Sequence, residues 1–313
     1  MHCDIACFGL LADERFARSW PRGRFFRPTL EQGDCILKIA IIPTTGGTDP
    51  YEGMQVAIDL EVEGLHIPAF GGGLDLESRT NSERAQILKR IRGYGLEVSA
   101  LIAWGGEVDL GEELDLAKNL AWGKRINETA ADMAEGLWMA HVGIMPDNET
   151  DPKWFVFVNS LGEIARHGEK IGATLALETG PEPPTVVRKM IETIDSPAIR
   201  INFDPANLLL WPPILATRHR VPYDHEAALR DYDPVEGLRL LMPFVVHAHA
   251  KDAVVNPQAE AEEVPLGTGM AQWPELHKIL EKNRYDGYYA IERECGDDAM
   301  SDVRTAVRFL RKL

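Results

Sequence analysis

The chain has 313 residues, 45% hydrophobic and 26% charged, the balance of an ordinary globule with ample material for a core. Lys+Arg number 33 against 49 Asp+Glu, and the resulting formal net charge of −16 opposes binding to a nucleic-acid backbone or an anionic membrane. No apolar run approaches the ~20 residues of a membrane helix, and the four cysteines (Cys3, Cys7, Cys35, Cys295) form no Cys-x-x-Cys pair, so a reducing, cytoplasmic setting without disulfides is expected.

Residues 1–35 differ from the rest of the chain. Arg15, Arg18, Arg22, Arg24 and Arg27 alternate with Phe16, Trp20, Phe25 and Phe26, and residues 3–12 are too short an apolar run, ending at Asp13-Glu14-Arg15, to predict a secretory signal. The expectation is a poorly ordered N-terminal extension. From Ile36 to the end, the pattern becomes a regular alternation. Ile36–Ile42 predicts a first strand and Asp49-Pro50 opens a helix to about Glu61. A strand over 64–67 leads into Phe70-Gly71-Gly72-Gly73, read as a loop because it lacks the full Gly-x-Gly-x-x-Gly of a nucleotide binder. Asn81-Ser82 caps a helix through Arg92, and Leu96–Ala103 is strand three, ending at Trp104-Gly105-Gly106. Next in order are helix 114–136, strand 137–145, helix 154–172, strand 175–177, helix 184–194 and strand 199–203. After a long connection come a helix from Asp233-Pro234, strand 245–250, a helix from Trp273-Pro274, strand 288–291 and a final helix.

Eight strand–helix alternations with no linker between halves predict a single (β/α)8 TIM barrel over 36–313. The connection from Asn207 to Asp233 is out of scale for such a barrel. It leaves the strand carrying Asp204 and is expected to form a loop over the mouth.

Barrel chemistry sits at the C-terminal strand ends. Strand five ends on Glu178, with Glu182 in the turn beyond; strand six gives Asp204 and Asn207. Strand seven gives His247, His249, Lys251 and Asp252, and strand eight gives Glu292; earlier strands offer His66, Trp104 and His141. Glu178, Asp204, His249 and Glu292, from successive strands, form a mixed oxygen and nitrogen donor set. Such a set suits one hard or borderline divalent ion: Mn²⁺ or Mg²⁺ first, with Co²⁺ or Zn²⁺ as alternatives.

The segments Leu177-Glu178-Thr179-Gly180, Asn202 to Leu208 (NFDPANL), His247 to Asp252 (HAHAKD), Val264 to Gly269 (VPLGTG), Trp273-Pro274, Tyr285-Asp286-Gly287 and Ile291 to Glu294 (IERE) carry a resemblance. Together they resemble the sugar phosphate isomerase/epimerase proteins of the xylose isomerase-like barrel superfamily, from about residue 37 onward. The resemblance implies a metal held by Glu178, Asp204, His249 and Glu292, with Glu178 and Glu292 also moving a proton at the carbon beside a carbonyl through an enediolate. It implies a small sugar, keto-sugar or cyclitol substrate contacted by residues drawn from His66, Trp104, His141, Glu182, Asn207, His247, Lys251 and Asp252, and it is compatible with a homo-oligomer. Many epimerases of this kind have histidine where Asn207 stands, and arginine where Val255 stands. A lyase or dehydratase using the same enolate chemistry is the alternative. An AP-endonuclease-like DNA repair enzyme is a further one, opposed by the net charge and by Ala103 and Asn207 at positions where a trinuclear site needs ligands.

Overall fold

The computed structural model describes residues 37–103 and 108–313. The expected extension over 1–35 and the strand-end Trp104 lie outside the described residues.

Eight parallel strands close into a barrel. In chain order they are β1 (Lys38–Ile41), β2 (Gly64–Pro68), β3 (Glu97–Ile102), β4 (Leu137–Ala140), β5 (Thr174–Glu178), β6 (Ile199–Phe203), β7 (Val245–Ala250) and, after a small hairpin, β10 (Tyr288–Ile291). β10 pairs with both β7 and β1, which closes the ring. Alternation along each strand sends one set of side chains outward against the helices and the other into the lumen. In β6, Ile199, Ile201 and Phe203 join the main core with the helices, leaving Arg200, Asn202 and then Asp204 for the interior. In β7, Ala248 and Ala250 face the helices, so His247, His249 and then Lys251 face inward.

Two register slips re-aim this pattern. Leu65 pairs with Val98 but His66 with Ala100, so Ser99 is an extra residue in β3; Ile201 pairs with Val245 but Asn202 with His247, making Val246 extra in β7. Bulges of this kind turn side chains locally. Here they accompany His66 and His247, whose rings meet inside the barrel with centroids 4.6 Å apart.

The helices begin where the sequence supplies caps. Asp49, Asp151 and Asp233 accept backbone N–H groups at the starts of α1 (Pro50–Asp59), α4 (Pro152–Ile171) and α8 (Pro234–Leu241). For α2 (Asn81–Gly93) the cap is Thr80, not Asn81-Ser82: Thr80 and Glu83 form a reciprocal capping box. The other barrel helices are α3 (Leu116–Met133), α5 (Pro184–Ile194), α9 (Trp273–Lys282) and α10 (Ala299–Leu310).

The long connection after β6 is helical rather than an open loop. It forms α6 (Asn207–His219) and α7 (His225–Asp231), with Pro212 and Pro213 inside α6. Burial overrides the missing proline donors. Leu209 and Ala206 pack with Ala253 and Val255, and Tyr223 and Leu229 close over that cluster. Ala253 and Val255 belong to a hairpin that periodicity does not reveal, β8 (Asp252–Val255) paired antiparallel with β9 (Ala261–Val264).

Asp252 organises the chain around this hairpin. Its Oδ1 accepts from the backbone N–H of Ala253 and Ala271, and its Oδ2 from Gly267 and Gly269, all at 2.9–3.1 Å. A Cβ at residue 269 would sit 2.2 Å from Oδ1, so glycine is what allows the approach. Removing this buried carboxylate strands four donors. Asp252→Ala should lower the unfolding free energy by about 3 kcal/mol in a urea titration; a change under ~0.5 kcal/mol would contradict that role.

Candidate metal centre

Glu178, Asp204, His249 and Glu292 converge where β5, β6, β7 and β10 end. They can each present a ligand atom such that all lie within 4.8 Å of one another. His249 Nδ1 is 2.9 Å from Glu178 Oε1, 3.1 Å from Glu292 Oε2 and 3.4 Å from Asp204 Oδ2. Despite these distances Nδ1 has no hydrogen-bond partner, and neither do Glu178 Oε2, Asp204 Oδ2 or Glu292 Oε1. Such orphans are rare in a native interior because each forfeits the solvation it had in water. Three carboxylates and one imidazole aimed at a common point are a donor set that fits a hard or borderline divalent cation.

Electrostatics keep the cluster together. Burial opposes a charged His249, but Glu292, Glu178 and Asp204 outweigh it and hold its pKa well above the usual range. Burial likewise opposes a charged Lys251, and Glu292 and Asp204 reverse that effect too. Lys251 Nζ donates to Glu292 Oε2 at 2.9 Å and also bonds Glu294. Burial works to raise the Glu292 carboxyl, yet His249 and Lys251 hold it well below normal. Asp204 is pushed up to about 6 by burial, against the pull of Lys251 and His249. A proton on His249 and a divalent ion are therefore competitors for the same carboxylates.

The remaining candidates fall into layers around this point. Asn207 donates its backbone N–H to Asp204 Oδ1 (2.9 Å) and its side-chain N–H to Glu178 Oε1 (3.3 Å). His141 Nε2 lies 3.1 Å from Glu178 Oε2, and the His141 ring packs edge-on against Trp211 of α6 with centroids 5.8 Å apart. His66 and His247 are fully buried in the lumen. His247 contacts Asn202 Oδ1 at 2.9 Å and Ser99 Oγ at 3.2 Å. Burial first, then neighbouring histidines, hold both imidazoles down, His66 to about 3, so both are neutral. The oxygens of Asp252 serve the backbone amides around the hairpin rather than the mouth.

Sequence reasoning passed over Thr179, Trp211 and Glu294. Thr179 Oγ1 accepts from the Asp204 N–H at 2.7 Å and donates to the Asp204 carbonyl at 2.9 Å, clamping the strand end. A hydroxyl directly after Glu178 was the available signal. Trp211 lies seven residues beyond Asp204, in a segment whose prolines argue against a helix.

Glu182 is buried beyond β5, and its Oε1 accepts from the Met145 N–H at 2.7 Å. Burial raises its carboxyl from the ordinary 4.5 to about 8. Between those values folding takes up a proton, so the native state loses stability as pH rises through the window. Glu182→Gln keeps the acceptor and removes the proton uptake. Its stability relative to the parent should therefore climb between about pH 5 and pH 8 in urea unfolding; a pH-independent difference would contradict the assignment.

A family model described as a xylose isomerase-like TIM barrel matches residues 55–313. Among solved structures, a xylose isomerase domain protein from Planctomyces limnophilus superposes with a TM-score of 0.71 at 23% identity, covering 88% of this chain and 96% of that one. The probable 3-DHS dehydratase AsbF of Bacillus anthracis gives 0.66 at 16%, covering 88% and 99%. The 3-keto-D-glucoside 4-epimerase YcjR of E. coli gives 0.63 at 15%, again covering 88% and 99%. No match is found among curated protein sequences. At these identities the structural likeness is one of fold, whereas the family match spans most of the sequence: the chain belongs to the xylose isomerase-like TIM barrel family.

Proposed function

We propose that the protein is a divalent-metal-dependent isomerase or epimerase of a small sugar, keto-sugar or cyclitol, working by proton transfer at the carbon beside a carbonyl. The observation that carries this is the set of four buried side chains whose unpartnered atoms meet at one point of the barrel mouth. Glu178, Asp204, His249 and Glu292 would hold the ion. A divalent ion held there, Mn²⁺ or Mg²⁺ by the hardness of the donors, would supply Lewis acidity that polarises the carbonyl and acidifies the C–H beside it.

The protein's own groups do the rest. Glu178 and Glu292 stand at the ends of β5 and β10, which are separated by β6 and β7, so they can address a substrate carbon from different sides, one taking the proton and the other returning one. His249 and Lys251 keep Glu292 ionised against its burial. Asn207 steadies Glu178 but, unlike a histidine, has no proton to release near neutrality. His141 Nε2, 3.1 Å from Glu178 Oε2, lies beside it within reach of a substrate hydroxyl. Trp211, packed on His141, offers the C–H face of a sugar ring an apolar wall.

Elimination of a group β to the same carbonyl shares the first step. The likeness to a protein named as a dehydratase supports that second reading. The net charge of −16 argues for a small-molecule substrate over a nucleic acid.

Incubation with ketoses and keto-cyclitols in D₂O should wash deuterium into the carbon beside the carbonyl of the accepted substrate, and exhaustive chelation should stop it. An eliminating enzyme would in addition release a leaving group. Glu178→Gln and Glu292→Gln should each lower turnover about 10³-fold while the protein stays folded. Product formed without any solvent hydrogen incorporation, or full activity after chelation, would defeat the proposal.

A further inference from the structure

A line of hydrogen bonds enters the centre from below. It starts at the carbonyl of Ala100, placed opposite His66 by the extra residue in β3. That oxygen can only accept, and His66 Nδ1 lies 3.0 Å from it, so this nitrogen carries a hydrogen. His66 is fully buried, and its two nitrogens meet a backbone carbonyl and another imidazole, neither of which offsets the cost of burying a charge there, so with its one hydrogen on Nδ1 the other nitrogen is left with a lone pair. His66 Nε2 lies 3.0 Å from His249 Nε2. Two ring nitrogens this close share one hydrogen; since His66 has none there, His249 donates it. The free lone pair of a neutral His249 is then on Nδ1, the atom that faces Glu178, Asp204 and Glu292 without a hydrogen-bond partner.

We infer that His66 is a positioning residue: the Ala100 carbonyl, acting through His66, fixes the tautomer of His249 so that Nδ1 is presented to the metal as a lone pair. This rests on the proposed metal-dependent function and extends it to a residue that need touch neither ion nor substrate. A competing arrangement exists, since His66, His247 and His249 are themselves close enough to hold an ion. Their nitrogens are already engaged, however: His247 with Asn202 and Ser99, and His66 with Ala100 and His249. The trio is thus a hydrogen-bonded stack rather than a second open site.

The direct test is ¹⁵N NMR of histidine-labelled, Mg²⁺-loaded protein. His66 should be the Nδ1–H tautomer, and His249 Nε2–H should show a through-hydrogen-bond ¹⁵N–¹⁵N coupling to His66 Nε2. In parallel, His66→Leu should weaken Mg²⁺ and Mn²⁺ binding about 10–100-fold at unchanged stoichiometry, the range expected for a lost partner of a ligating histidine. His66→Gln, which keeps an acceptor, should recover much of that loss. The spectrum of the unmutated protein decides the matter even if His66→Leu does not fold. An Nε2–H tautomer on His66, equal affinity in all three proteins, or two ions per chain with one lost in His66→Leu would each overturn the inference while leaving the carboxylate centre in place. An unmutated protein that binds no divalent ion would overturn the metal reading and this inference with it.

Discussion

Three carboxylates buried together at the barrel mouth are the constraint on which the rest depends. Glu178, Asp204 and Glu292 are each at most 5% exposed and face one another across a few ångströms. Left alone they would repel and lose the solvation of water, a cost of several kcal/mol per ion. His249 and Lys251 offset part of that cost, yet several of the facing atoms still lack a hydrogen-bond partner. A divalent cation would satisfy all of them at once, which is what favours the proposed binding site over a structural ion-pair network.

The surrounding chain holds these acids in place against their mutual repulsion. Thr179 pins the backbone of Asp204 on both sides. Lys251, just beyond β7, bonds both Glu292 and Glu294 beyond the adjacent β10. One residue beyond Glu292, Arg293 is anchored to Glu263 of the hairpin at 2.7 Å and to Asp302 of the last barrel helix at 2.8 Å. The hairpin and α6 pack on each other beside the mouth, so the elements added to the basic barrel lie where substrate would enter. Preorganisation of this kind is what allows small displacements of charge to do chemistry.

Much of this was legible in the sequence, and the failures have physical causes. Apolar runs such as Ile199–Phe203 ending on an acid before a proline announce a buried parallel strand with its chemistry at the tip. The bulges at Ser99 and Val246 were invisible because a period of two carries no mark of a one-residue slip. Pro212-Pro213 argued for a loop, but tertiary burial of Leu208 and Leu209 outweighs the two lost donors and keeps α6 helical. Asp252 shows the limit of residue type as a guide. An acid beside a strand end reads the same whether it faces substrate or four backbone amides, and only coordinates separate the two.

The measurement closest to the central claim is a metal titration of the purified, chelator-stripped protein with Mn²⁺, followed by electron paramagnetic resonance and pulsed nitrogen spectroscopy. One tightly held Mn²⁺ per chain is expected, coupled to the nitrogen of one imidazole, with that binding lost in Asp204→Asn. Absence of a stoichiometric site, or a bound ion coupled to no imidazole nitrogen, would contradict that claim.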